Sequence, residues 1–439
     1  MTTETTELEG DLLASLLSDE TFLPTQPRAL VETGLPTPFV ESLLIKVLAS
    51  VGTCSGRRLA DQICLPFGLL EDVIQSLRTR QLLVHAGSAA FNDYYYALTD
   101  QGNAAAQRAL RACSYIGPAP VPLMDYVISV EAQSIAAESP RREKLAAAFK
   151  GITVEEELLD QLGPAVNSGA GMFLFGEPGN GKSTLAHRIT QCFGQEVWVP
   201  HALIEHGEII KVYDPSYHHE VGVDSRGLIK THDFDRRWVR IQRPTVVVVG
   251  ELTMDNLEIR HDPHSRVGEA PLQVKSNCGC LVIDDFGRQR IAPSELLNRW
   301  IVPLENRHDY LTLSSGKKFQ VPFEQLILFS TNLEPSELVD EAFLRRIPYK
   351  IEIGNPSEEE FHELFQLYAV ESGCTYQHQV VEQLLATHYR PNGRAMRRCH
   401  PRDLLKQLRS FCTYHGLPFE MQTEYLNRVV GCYFTMVLK

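Results

Sequence analysis

Apolar positions along the 439-residue chain fall into two rhythms. Where they recur three and four places apart they predict amphipathic helices, at 39–48, 56–63, 69–77, 358–368 and 401–411 among others. Short unbroken apolar runs predict buried strands: MFLF at 172–175, CLVI at 280–283 and LILFS at 326–330. Residues 82–84 and 94–98, separated by small residues, predict a β-hairpin. Thr99 then stands as N-cap of a further helix. Stretches at 209–213, 239–241 and 245–249 predict additional strands.

These elements group into segments. Residues 1–36 are acidic and weakly periodic, a flexible tail with a short helix near 12–17. Residues 37–112 form a small domain of helices and a hairpin. Residues 113–163 begin with SYIGPAPVP, a semi-rigid extended linker, and continue as helices broken at Pro140. The acidic run 155–157 reads as a solvated helix face. Residues 164–353 hold the apolar strands, with a β insertion at about 205–275, and residues 354–439 are helical.

Composition narrows the classes. Hydrophobic content of 44% suits globular folding, and no apolar run reaches membrane-spanning length. The start of the chain is acidic and lacks the basic opening of a signal peptide, so a cytoplasmic location is expected. With 42 basic and 55 acidic residues the net charge is −13, which gives no general help to nucleic-acid binding. The ten cysteines are scattered, and free buried thiols are expected rather than a zinc site at Cys278-x-Cys280.

The chemistry concentrates behind the first apolar strand. Gly176-Glu177-Pro178-Gly179-Asn180-Gly181-Lys182-Ser183-Thr184 fits G-x-x-x-x-G-K-[ST] between a strand and a helix. Glycines let backbone N–H groups close around polyphosphate, and the helix N-terminus adds partial positive charge. Lys182 would reach the β- and γ-phosphates and Ser183 would ligate Mg²⁺, while Thr184 is a helix position without a separate role. The strand at 280–283 ends in Asp284, a candidate for holding Mg²⁺, and Asp285, a candidate for activating water. Asn332 ends the strand at 326–330, either to bond water or phosphate or to cap a turn. Arg345 and Arg346 end a predicted helix, either as surface residues or aimed at a neighbouring subunit's phosphates. Pro401 near a helix start places Arg402 in the first turn, facing the nucleotide. In the insertion, Tyr213, Tyr217 and His218-His219-Glu220 are candidates to face a central pore or a substrate; His218-His219 beside Glu220 has no recognised metal spacing, and a solvated loop is favoured there. Arg236, Arg237, Arg240 and Arg243 form a basic cluster for nucleic acid, a partner or nearby acids.

In this order these features resemble the AAA+ ATPases, over roughly residues 150–415. The resemblance implies an α/β fold, a P-loop parallel sheet with a C-terminal helical lid. It implies ATP and Mg²⁺ as ligands, and a homo-oligomeric ring, a hexamer by family habit. Asn332 then matches sensor 1, Arg402 sensor 2, and Arg346 the arginine finger with Arg345 in reserve. Asp285 stands where many relatives carry Glu. A hairpin expected around Ser315-Gly316 is similar to the pre-sensor hairpin of MoxR-type and related branches, which implies a chaperone-like remodeler of a protein client. Asp284-Asp285-Phe286-Gly287 instead resembles helicase loaders and transposition helpers; the hairpin spans more residues and carries more weight. The region 37–112 resembles a winged helix through Tyr96-x-Leu98-Thr99-x-x-Gly102. Its seven basic and six acidic side chains leave +1, and Glu71 and Asp72 lie near the start of the candidate recognition helix. Protein docking is therefore favoured over DNA. The alternative function is a DNA-associated ATPase acting through that domain.

Overall fold

The computed structural model describes residues 22–90, 93–138, 140–150, 155–194, 196–222 and 234–434. The helix expected near 12–17 lies outside the described residues. Among the described residues no helix is long and apolar enough to cross a membrane. The chain divides into two compact units, Met1–Ser139 with Phe193–Leu281 and Glu295–Leu326, and Pro140–Cys192 with Val282–Ser294 and Ile327–Lys439.

In the first unit, helices Thr37–Val51, Gly56–Ile63 and Phe67–Thr79 precede the hairpin Leu83–Ala89/Asp93–Leu98, and helix Asp100–Ala112 follows. Strand Thr53–Ser55 adds antiparallel to Asp93–Leu98, which makes a three-stranded sheet. Thr99 caps the last helix, accepting the Gly102 N–H at 2.9 Å. Gly102 has no room for a side chain, because a Cβ there would stand 2.0 Å from Leu82 O. Leu43, Leu44, Leu59, Leu70 and Ile74 form the interior, and it runs on without a break into Ala202, Ile209 and Val267 of the β insertion.

The segment read as an insertion contains β strands. Its five-stranded sheet has the order Arg260–Asp262, Val267–Glu269, Glu208–Lys211, Ala202–Glu205, Val121–Pro122. The last strand is the end of the expected linker: Val121 and Pro122 pair in parallel with Leu203 and Ile204, an edge position that tolerates proline. The hairpin around Ser315-Gly316 is present, His308–Thr312 against Lys318–Pro322. Its turn is held by the Glu208 carboxylate, which accepts from Ser314 N at 3.0 Å, Ser314 Oγ at 2.7 Å and Ser315 N at 3.0 Å. Those bonds pull the Glu208 pKa down against the opposing effect of burial.

Two expectations are settled here. The favoured solvated loop at 218–220 is wrong for His218, which is buried. Its Nδ1 accepts from Asp214 N at 3.0 Å and its Nε2 bonds Lys275 O at 2.8 Å. The basic cluster is spent on nearby acids: Arg236 pairs with Asp61, Arg237 with Asp235, Arg240 with Glu196 and Arg243 with Glu138. All ten cysteines are free thiols.

The second unit holds the phosphate-loop strand Met172–Phe175. It lies parallel to Leu326–Ser330 on one side and to Tyr349–Glu352 on the other. The strand order on either side of it is Leu326–Ser330, Met172–Phe175, Tyr349–Glu352. Phe173, Phe286 and Phe329 pack ring to ring beneath it. This is the expected parallel P-loop sheet, with a helical C-terminal region. There, helices Glu358–Ser372, His378–Leu384, His400–His415 and Thr423–Tyr433 bury Phe361, Phe365, Leu405, Leu408 and Leu426. Ser357 and Glu360 cap the first of them reciprocally.

Candidate functional site

Backbone conformation prepares the loop before any side chain matters. Gly176, Gly179 and Gly181 have φ of +127°, +88° and +88°, a region that residues with a Cβ avoid. Gly176 is also pressed against the next strand, since a Cβ would meet Ile353 O at 2.6 Å. The chain turns from Met172–Phe175 into helix Lys182–Ile189, whose N-cap is Gly181, a residue with no side chain to cap the first N–H groups.

Lys182 is buried. Its Nζ donates to Gly176 O at 2.8 Å, Glu177 O at 3.0 Å and Asn332 Oδ1 at 2.8 Å. Burial lowers its pKa, and the carboxylates of Asp284 and Asp285 push the other way. Ser183 Oγ donates to Asp284 Oδ2 at 2.6 Å. Asn332 Nδ2 donates to Asp285 Oδ1 at 3.3 Å, so one amide spans the lysine and the second carboxylate. Gln289 braces the carboxylate turn, donating to Asp284 O at 2.8 Å and accepting from Gly287 N at 2.9 Å.

These groups line a cavity of about 340 Å³ with Pro178, Gly179, Asn180, Gly181, Thr184, Arg398, Cys399 and Arg402. Leu158, Leu364, Leu367 and Tyr368 give it an apolar flank. Gly176 and Glu177 contribute their carbonyls to Lys182. The loop glycines, the aimed ammonium and the helix N-terminus fit a polyphosphate. The oxygen pair Ser183–Asp284 fits Mg²⁺, a hard cation.

Arg402 borders the cavity with a largely exposed side chain, bonded to its neighbour Asp403 at 3.0 Å. That bond raises its pKa. Arg398, which sequence reasoning missed, is more buried and reaches Glu360 at 3.0 Å and Glu155 at 3.3 Å. Glu155 is exposed, as expected for the acidic run, and also pairs with Arg398. The dipeptide Arg397-Arg398 ahead of Pro401 was visible; its partners were not. Arg345 and Arg346 do not line the cavity. Arg345 borders a separate hollow with Asp340, Glu341, Leu344 and Lys350.

Residues 357–431 match a family model described as a domain of unknown function, DUF8689. No curated protein matches the chain. Among solved structures, a point mutant of RuvB from Thermotoga maritima is 14% identical, with 64% of this chain and 69% of that chain covered and a TM-score of 0.38. NtrX from Brucella abortus is 12% identical, with coverages of 68% and 60% and a TM-score of 0.41. A complex between the BchI and BchD subunits of magnesium chelatase gives 16%, 70% and 96%, and a TM-score of 0.33.

Proposed function

We propose that the chain is a cytoplasmic ATPase of the AAA+ type that works in a homo-oligomeric ring, of hexameric order, as a remodeler of a protein client. The observation that carries the reading is the convergence of Lys182, Ser183, Asp284, Asp285 and Asn332, from three strands, on one glycine-loop cavity. In the reaction ATP + H₂O → ADP + phosphate, Lys182 exchanges its carbonyl partners for phosphate oxygens. Asp285 accepts the proton of the attacking water, and Asn332 keeps that carboxylate and Lys182 in register. Ser183 and Asp284 would hold Mg²⁺, which neutralises charge on the phosphates when bound. Arg402 lies on the lid side of the same cavity. Arg346, with Arg345 in reserve, is assigned to complete the site of an adjoining subunit.

The client is taken to be protein rather than DNA. Glu71 and Asp72 are exposed on helix Phe67–Thr79 of the winged-helix-like region, a poor face for phosphate. The four arginines of the insertion are paired internally. The MoxR-type assignment rests on the hairpin His308–Thr312/Lys318–Pro322 ahead of the Asn332 strand.

Titration of the purified chain with Mg·ATP, together with phosphate release, tests the core of this. Lys182→Ala is expected to abolish both. Undiminished binding in that variant would overturn the assignment.

A further inference from the structure

Asn180 has more to do than a phosphate loop requires. The loop engages phosphate through backbone N–H groups, which any residue at this position supplies. Yet the Asn180 side chain is directed away from solvent and is only 1% exposed. Its Nδ2 donates to Asn355 Oδ1 at 2.8 Å and to Ile353 O at 3.4 Å, and its Oδ1 accepts the Arg398 N–H at 3.3 Å. Beside it, Gly179 O accepts the Cys399 N–H at 2.9 Å. Arg397 closes the circuit, donating to the same Asn355 Oδ1 at 2.6 Å and pairing with Glu177 at 2.9 Å. Asn355 lies between strand Tyr349–Glu352 and helix Glu358–Ser372, where the sheet hands over to the C-terminal helices. Residues 397–399 run directly into helix His400–His415, which carries Arg402.

We propose that Asn180 is a positioning residue that fastens the 397–399 segment to the phosphate loop. It sets where the following helix, and Arg402 with it, stands over bound phosphates. This assignment rests on the nucleotide reading of the cavity. Alanine keeps the loop backbone and removes three side-chain bonds, to Asn355, Ile353 and Arg398; the first and last of these reach 397–399, directly or through Arg397.

Hydrogen–deuterium exchange on the full chain tests the fastening, without nucleotide and with Mg·ADP, in wild type, Asn180→Ala, Asn355→Ala and the double variant. In nucleotide-free Asn180→Ala, amides at 397–399 are expected to exchange roughly five- to tenfold faster, the loss of about one net hydrogen bond. Amides of Met172–Phe175 should keep their wild-type rates. Asn355→Ala leaves the Arg398 N–H bond to Asn180 Oδ1 in place and removes the contacts of Asn355 Oδ1 with Asn180 and Arg397, so the double variant should exchange at 397–399 at least as fast as Asn180→Ala. The KM for ATP should rise by a similar factor, with kcat within about twofold. Unchanged exchange at 397–399 in Asn180→Ala would overturn the proposal. Should that variant loosen the strand as well, Asn355→Ala reads the indirect route, from Asn180 through Asn355 Oδ1 to Arg397, with the loop intact: faster exchange at 397–399 supports the fastening, and an unchanged rate overturns it. Failure of the wild type to bind Mg·ADP would overturn the nucleotide reading instead, and the nucleotide-free comparison would still decide the fastening.

Discussion

Asp285 is held at φ +52°, a left-handed conformation that short side chains with local hydrogen bonds tolerate best. Its own N–H donates to Asp284 Oδ1 at 3.1 Å and its carboxylate accepts from Asn332, so the turn places it without the extra methylene of Glu. Asp285→Asn preserves that shape and removes the proposed base. Turnover is expected to fall by about 10²–10⁴-fold, with nucleotide affinity retained, as phosphate release and equilibrium titration would show. Unchanged turnover would remove Asp285 from its role. Lys182, Ser183, Asp284, Asp285 and Asn332 were legible in the sequence because each lies in a short motif with its strand attached. The side-chain partners of Asn180, Arg398 and His218 were not legible. Asn180 and Arg398 are 218 positions apart, and no periodicity records such a pairing. His218 is buried by Lys275 O and Asp214 N, neither of which marks it locally.

At the scale of elements, helix Asp100–Ala112 begins where the backbone of Leu82 leaves space for a hydrogen atom alone. Gly102→Ala is expected to cost about 1–3 kcal/mol through overpacking, measurable as a lower denaturant midpoint. The helix His400–His415 carries a pH-dependent contribution. His400 is buried, bonded to Tyr389 OH at 3.0 Å, and burial lowers its pKa from 6.5 to about 4. The unfolded side chain takes a proton below pH 6.5 that the folded one refuses until about pH 4. Its share of stability is therefore complete above pH 6.5 and is lost as the pH falls toward 4. Unfolding followed across that range should show a slope that His400→Gln flattens. Helices Thr37–Val51, Gly56–Ile63 and Phe67–Thr79 and strands Met172–Phe175, Cys280–Ile283 and Leu326–Ser330 were readable from apolar spacing, whereas strands Thr53–Ser55, Arg260–Asp262 and Val267–Glu269 were not. The pairing of Val121–Pro122 with Leu203–Ile204 was not, because two residues carry no strand signal and proline argues against one.

At the scale of the whole molecule, the proposed ring makes the arginine at 346 the property of one subunit and the lysine at 182 that of the next. Arg346→Ala alone is expected to lower turnover by roughly 10³–10⁵-fold. Mixing it with Lys182→Ala should restore part of the activity, since some interfaces then regain an intact pair. No recovery in mixed assemblies that do form would count against shared sites. The first unit bears on how such an engine would transmit force. Its N-terminal helices and its inserted strands share one interior, from Leu43 through Ile209 to Val267. The prolines between them end in a hydrogen-bonded strand rather than a free tether. A client seized by the helices would consequently pull on the inserted sheet with no slack to take up, as on a crowbar and not on a leash.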